Sequence, residues 1–128
     1  ALIDPYNELS FDRGSESETD HIGRSLQRLR SFALNHGINI WIVAHPAKPP
    51  QPRPGEKIDP PGLYSISGSS HWANKADLGL VVHRDEKATR VIVAKSRFRR
   101  WGSKGDNAIV EFNWLTGRYS TPVGGLDV

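Results

Sequence analysis

The chain has no cysteine among its 128 residues. That absence excludes a disulfide framework, a cysteine-ligated zinc site, an iron–sulfur cluster and a thiol nucleophile, and it is compatible with a reducing compartment. No apolar run approaches the roughly 20 residues of a membrane span, and no cleavable signal pattern opens the chain. A membrane helix is therefore not expected. The first residue is not methionine, and Ala1-Leu2-Ile3-Asp4 reads as the last residues of a buried strand that has no start and no cap before it. The expectation is a fragment of a longer protein, cut in the middle of a sheet. The length suits one modest domain that builds its core without disulfides or metal. The five histidines show no metal-ligand spacing, and His21, His36 and His83 read as surface or packing residues.

Charge is present but unevenly placed. The net charge is only +3, yet acids gather between Asp4 and Asp20 while much of the basic charge falls between Arg84 and Lys104. This asymmetry suggests a polyanion on one side of the domain. The densest part runs from Val91 through Lys95-Ser96-Arg97-Phe98-Arg99-Arg100-Trp101 to Gly105, a β-branched strand entering a basic loop closed by two glycines. Lys95 and Arg97 sit at i and i+2, so at the end of an extended strand both side chains leave on the same face. A charge run usually faces water. A lysine and an arginine fixed on one face are also how a transferring phosphoryl group is gripped, because ammonium and guanidinium stabilise different oxygens.

The rest of the chain reads as alternating elements. After a polar loop from Pro5 to Ser17, a helix is predicted from about Glu18 to Asn35. Thr19 and Asp20 would serve at its N-cap or first turn, Ile22, Leu26, Leu29 and Ala33 would form its apolar face, and His36-Gly37 would end it. Ile38 to Ala44 is a continuous apolar run that fits a strand covered on both faces of a parallel sheet. Ile3, the helix and Ile40 to Val43 thus predict a β-α-β unit with a right-handed crossover. Pro46 to Pro61 holds seven of the nine prolines, which predicts a long loop. Ser67 to Ala76 reads as a turn and a short helix. Leu78 to His83 and Arg90 to Ala94 read as strands joined by an Asp85-Glu86-Lys87 turn, and Ala108 to Asn113 and Arg118 to Thr121 as a final hairpin through Leu115-Thr116-Gly117. The fold class expected is α/β, a parallel β-α-β core continuing into an antiparallel meander.

Two polar residues fall at the carboxyl ends of successive predicted strands, Asp4 after Leu2-Ile3 and His45 after Trp41-Ile42-Val43-Ala44. Ligands of open α/β sheets bind at that edge. An apolar strand ending in aspartate suits the carboxylate that holds the water shell of Mg²⁺ in a P-loop ATPase, although any strand can end in aspartate. His45 fits either a hydrogen-bonded core histidine or a sensor of a terminal phosphate.

Four blocks occur in order: Ile3-Asp4-Pro5-Tyr6-Asn7-Glu8-Leu9, Val43-Ala44-His45-Pro46, Ser67-Gly68-Ser69-Ser70-His71-Trp72-Ala73-Asn74-Lys75-Ala76-Asp77 and Lys95-Ser96-Arg97-Phe98. Together they resemble the DnaB-like, ring-forming replicative helicases, and most of all the phage primase-helicases and Twinkle-type helicases. The resemblance covers nearly the whole chain. It implies the C-terminal portion, residues 1–128, of a RecA-like P-loop NTPase motor domain with a proline-rich loop at 46–61. Asp4 then resembles the Walker B aspartate and metal ligand, His45 the phosphate sensor, and Lys95 and Arg97 the lysine and arginine finger that enter a neighbouring subunit's site. Lys48, in the loop after His45, and Gly68, Ser69, Asn74 and Lys75 resemble elements facing a channel for single-stranded DNA. Implied with them are ATP and Mg²⁺ in the full-length protein, a homo-hexamer, no membrane, and the cytoplasm of a bacterial or phage-infected cell. One departure is large: the G-x-x-x-x-G-K-[ST] loop is absent from all 128 residues, and so is the strand carrying the family's catalytic glutamate. Glu8 does not have that glutamate's offset and is left unassigned. The chain alone is therefore expected to be inactive.

Trp72 and Trp101 are candidates to stack on bases, with burial an equal reading for Trp72, whereas Trp41 and Trp114 read as buried. Two rival functions stand beside the helicase. A RecA-like recombinase or plasmid ATPase would share Asp4 but not the Lys95-x-Arg97 pair before a glycine-rich loop. A stand-alone single-strand-binding module would use the basic loop without ATP.

Overall fold

The computed structural model describes residues 1–9, 14–47, 59–66, 70–84 and 88–122. They divide into two compact units, residues 1–76 and 77–128. The first unit is the predicted β-α-β arrangement. Strand β1 (Leu2–Ile3) pairs in parallel with β2 (Trp41–Ile42), and helix α1 (Glu18–His36) connects them. The helix begins at Glu18, as predicted, with Ser17 as its N-cap and Thr19 and Asp20 in its first turn. Ser17 Oγ accepts the Asp20 backbone N–H at 3.2 Å, so Asp20 lies in the first turn, where a carboxylate also meets the positive end of the helix dipole. Gly37 ends the helix in the left-handed region, at φ 61°, which costs little without a Cβ.

The apolar face of α1 is the one its spacing predicts. Ile22 and Leu26 are buried and Leu29 and Ala33 half-buried. Ile22 and Leu26 close the core with Tyr6 and Trp72, and Ile42, Ala44 and Ile66 pack against it. The indole of Trp72 comes from α2 (His71–Lys75) and meets Tyr6 edge-on at 4.8 Å. Burial is thus the outcome for Trp72, which removes it as a base-stacking residue. Gly23 lets the His71 ring approach: a Cβ there would sit 2.6 Å from it.

Two expectations for β2 fail. The strand is Trp41–Ile42 instead of Ile38 to Ala44, because ladder pairing requires a neighbour and β1 offers only Leu2–Ile3. Nor is it covered on both faces. Ile42 and Ala44 pack against the core and Ile3 is half-buried, while Leu2, Val43 and Trp41, 53% exposed, alternate with them as exposed positions.

The second unit is an antiparallel sheet in the order β3 (Leu78–Arg84), β4 (Thr89–Ser96), β5 (Asn107–Asn113) and β6 (Arg118–Ser120). The fold class is as predicted, a parallel β-α-β core followed by an antiparallel meander, and it is compatible with part of a RecA-like fold. The expected Asp85-Glu86-Lys87 turn lies outside the described residues, as does most of the proline-rich loop at 46–61. Trp114 is 79% exposed, against the expectation of burial. Asn113 Oδ1 accepts the N–H groups of Leu115 and Thr116 at 3.0 and 3.1 Å, and this turn carries Trp114 away from the sheet.

Truncating the core of the first unit should outweigh removing its helix cap. Leu26→Ala is expected to cost about 2–5 kcal/mol and Ser17→Ala about 1 kcal/mol, both read from urea unfolding of this chain. Equal losses would contradict the placement of Leu26 in the core.

Candidate functional site

The first group of candidate residues stands at the carboxyl edge of the parallel pair. Val43 N–H donates to Ile3 O at 2.8 Å and Tyr6 N–H to Val43 O at 2.9 Å, so the backbone beside Asp4 is fixed on both sides. With Ile3 opposite Ile42, Asp4 and His45 leave the two strands at the same end. Both are exposed. The chain leaving His45 is held in turn. Pro46 bridges Ile66, and Ala47 N–H donates to Ser65 O at 2.7 Å, which ties the residue after the sensor candidate to the segment leading toward α2.

That segment carries the second group. Asn74 is exposed on α2, and the half-buried Lys75 donates from Nζ to Gln27 Oε1 on α1 at 3.0 Å. Lys48, Gly68 and Ser69 lie outside the described residues. The structure therefore brings Asp4 and His45 to one edge and places Asn74 and Lys75 together on a short helix.

Lys95 and Arg97 belong to the second unit. Lys95 is half-buried on β4 opposite Gly79. Arg97 follows the strand end, and its backbone N–H donates to Asp77 O at 2.8 Å while Nε forms an ion pair with Asp77 Oδ1 at 3.1 Å. The basic loop beyond is closed on itself. Ser103 N–H donates to Asp106 Oδ2 at 2.6 Å, Val93 N–H to Asp106 O at 2.8 Å and Gly105 N–H to Val93 O at 2.9 Å. Gly102 and Gly105 supply the positive φ angles, 111° and 99°, that this closure needs. Within it Phe98 and Trp101 meet edge-on at 4.6 Å, with the Arg100 guanidinium 5.5 Å and 5.6 Å from their ring centres. Trp101 stays 44% exposed, as a stacking residue requires.

No group of three or more His, Asp or Glu among the described residues could hold a metal by itself. Asp4 can still serve as a single carboxylate to a hydrated Mg²⁺ that arrives with a nucleotide's phosphates, since it is exposed at a strand end. No helix among the described residues is long and apolar enough to cross a membrane.

No family model matches the chain. It is, however, 38% identical over 127 residues, 93% of its length, to the Twinkle homolog protein, chloroplastic/mitochondrial, of Arabidopsis thaliana. The chain is thus similar to a Twinkle homologue. It spans 17% of that protein's length. The match supports a relationship to Twinkle-type helicases, one of the two groups the four blocks resemble.

Sequence reading missed Asp77 as the partner of Arg97. The residue was visible at the end of the third block, but the register that sets β3 beside the end of β4 is a tertiary fact. Lys75, if it contacts DNA phosphate, should contribute equally to every sequence. Lys75→Ala in the full-length protein should then flatten the slope of log single-strand affinity against log salt by about 0.7 for each phosphate no longer neutralised. An unchanged slope in a salt titration would take Lys75 out of the interface.

Proposed function

We propose that this chain is the C-terminal portion of a RecA-like motor domain, from an ATP-driven, ring-shaped DNA helicase of replication. The observation that carries the reading is the 38% identity to the Twinkle homologue along 93% of the chain. The Lys95 and Arg97 pair at the end of β4 and the Asp4 and His45 pair at the parallel edge support it. Phage primase-helicases are the other group this reading includes, and a bacterial or phage-infected cytoplasm is the compartment proposed with it.

In this reading Asp4 would hold hydrated Mg²⁺, and the ion would supply charge that offsets the phosphates of ATP. His45 contacts the terminal phosphate and transmits its presence along Pro46 and Ala47 to the segment that leads to α2. Lys95 and Arg97 act in trans, stabilising charge on the departing γ-phosphoryl group in the neighbouring subunit of a homo-hexamer. The channel residues Lys48, Gly68, Ser69, Asn74 and Lys75 then move the single strand as hydrolysis proceeds around the ring.

A second reading, a single-strand-binding module, draws on the exposed Trp101 with Arg100 stacked beside it. Nucleotide separates the two, because such a module binds DNA equally with and without ATP.

Arg97→Ala in the full-length protein should leave nucleotide binding nearly intact and lower DNA-stimulated hydrolysis by roughly 10³-fold or more. Asp4→Asn should lose Mg²⁺-dependent hydrolysis while rings still assemble. Steady-state hydrolysis with an equilibrium nucleotide titration checks both. Wild-type turnover by Arg97→Ala, or by Asp4→Asn at ordinary Mg²⁺, would remove that residue from its role.

A further inference from the structure

We infer that Asp77 is the positioning residue for Arg97, a bracket that sets the orientation of the guanidinium before it meets a phosphoryl group. The inference rests on the trans-acting role proposed above for Arg97. Asp77 holds Arg97 at two points: its carbonyl oxygen accepts the Arg97 backbone N–H at 2.8 Å, and its Oδ1 forms an ion pair with Nε at 3.1 Å. One residue therefore fixes both where the arginine leaves the sheet and how its side chain turns.

The nitrogen used is the informative detail. A guanidinium grips a carboxylate or phosphate most strongly through two parallel N–H bonds. Asp77 approaches at Nε, 3.1 Å away, while the two terminal nitrogens are the fork that a phosphoryl group would take. A bidentate partner on that fork would instead block it. The side chains are 34% and 37% exposed, and an ion pair so open to water contributes little to stability. What the pair does supply is orientation, since a long arginine side chain left alone would sample many rotamers.

The surroundings brace the same end of β4. Ser96 Oγ donates to Phe98 O at 2.9 Å just past Arg97, and Arg100 lies over the Phe98 and Trp101 rings. Arg97 thus leaves a stiff backbone, and its remaining freedom is in the side chain that Asp77 holds. Reactions that depend on a pre-positioned group lose about 10²-fold from a displacement near 1 Å. Removing the bracket should therefore cost less than removing the arginine.

The test is a double-mutant cycle in the full-length protein, with DNA-stimulated hydrolysis as the readout. Asp77→Asn should lower kcat by about 10- to 100-fold with the KM for ATP unchanged. Asp77→Asn combined with Arg97→Ala should be no slower than Arg97→Ala alone, because a residue that acts only through Arg97 has nothing left to position. Asp77→Glu, which keeps the carboxylate, should retain more activity than Asp77→Asn. It carries the same cycle if the asparagine variant fails to fold. Normal turnover by Asp77→Asn beside a slow Arg97→Ala would overturn the positioning role and leave the arginine's role standing. Losses that multiply in the double variant would overturn it too, by showing that Asp77 acts elsewhere. Normal turnover by Arg97→Ala would sink both.

Discussion

The first unit depends on one constraint, the parallel pairing of Leu2–Ile3 with Trp41–Ile42. A parallel neighbour cannot be reached by a tight turn, so the chain must cross over, and α1 is the crossover. The register then decides everything chemical about the unit. With Ile3 opposite Ile42, the inward positions are Ile3, Ile42 and Ala44, and Asp4 and His45 leave at one edge. A slip by one residue in β2 would turn Trp41 and Val43 toward the core and Ile42 and Ala44 to the outside. The packing of Ile42 and Ala44 against Tyr6, Ile22, Leu26 and Trp72 specifies against that slip.

The second unit solves a different problem, how to hold cations at the end of a strand. Backbone geometry does most of it. The loop after β4 is fastened back through Val93, Gly105 and Asp106, and a single acid, Asp77, turns the arginine. Arg100 finds aromatic faces rather than a carboxylate. A loop with five cations in ten residues reads as a solvated turn on charge alone, but its hydrogen bonds make it a closed element.

Periodicity made much of this legible in the sequence. The apolar stripe Ile22, Leu26, Leu29 and Ala33 gave α1 and its buried face, and strand-length apolar runs separated by polar turns gave the meander. What escaped was decided by neighbours. Trp41 sits in an apolar run that matches a strand buried on both faces, yet burial depends on what lies across the sheet, and Trp41 is 53% exposed. Trp114 is apolar in a polar turn, and the Asn113 side chain, which controls its direction, acts through local hydrogen bonds that hydrophobicity does not register. Of the two places open to Thr19 and Asp20, the N-cap and the first turn, they take the first turn, and Ser17 is the cap. At the candidate sites, Asp4 directly follows β1, whereas His45 lies beyond the end of β2 at Ile42. The pairing of Asp77 with Arg97 required the β3–β4 register, in which Leu78 lies opposite Ser96.

The central claim is that Arg97 works on a neighbouring subunit's nucleotide, and subunit mixing tests it most directly. Arg97→Ala protein is titrated into wild-type protein at fixed total concentration, the rings are allowed to reassemble, and DNA-stimulated ATP hydrolysis is measured against the fraction of variant. A finger that acts in trans, in a ring that fires in sequence, predicts activity falling well below the straight line joining the two end points. Activity falling in simple proportion to the variant fraction would contradict the account.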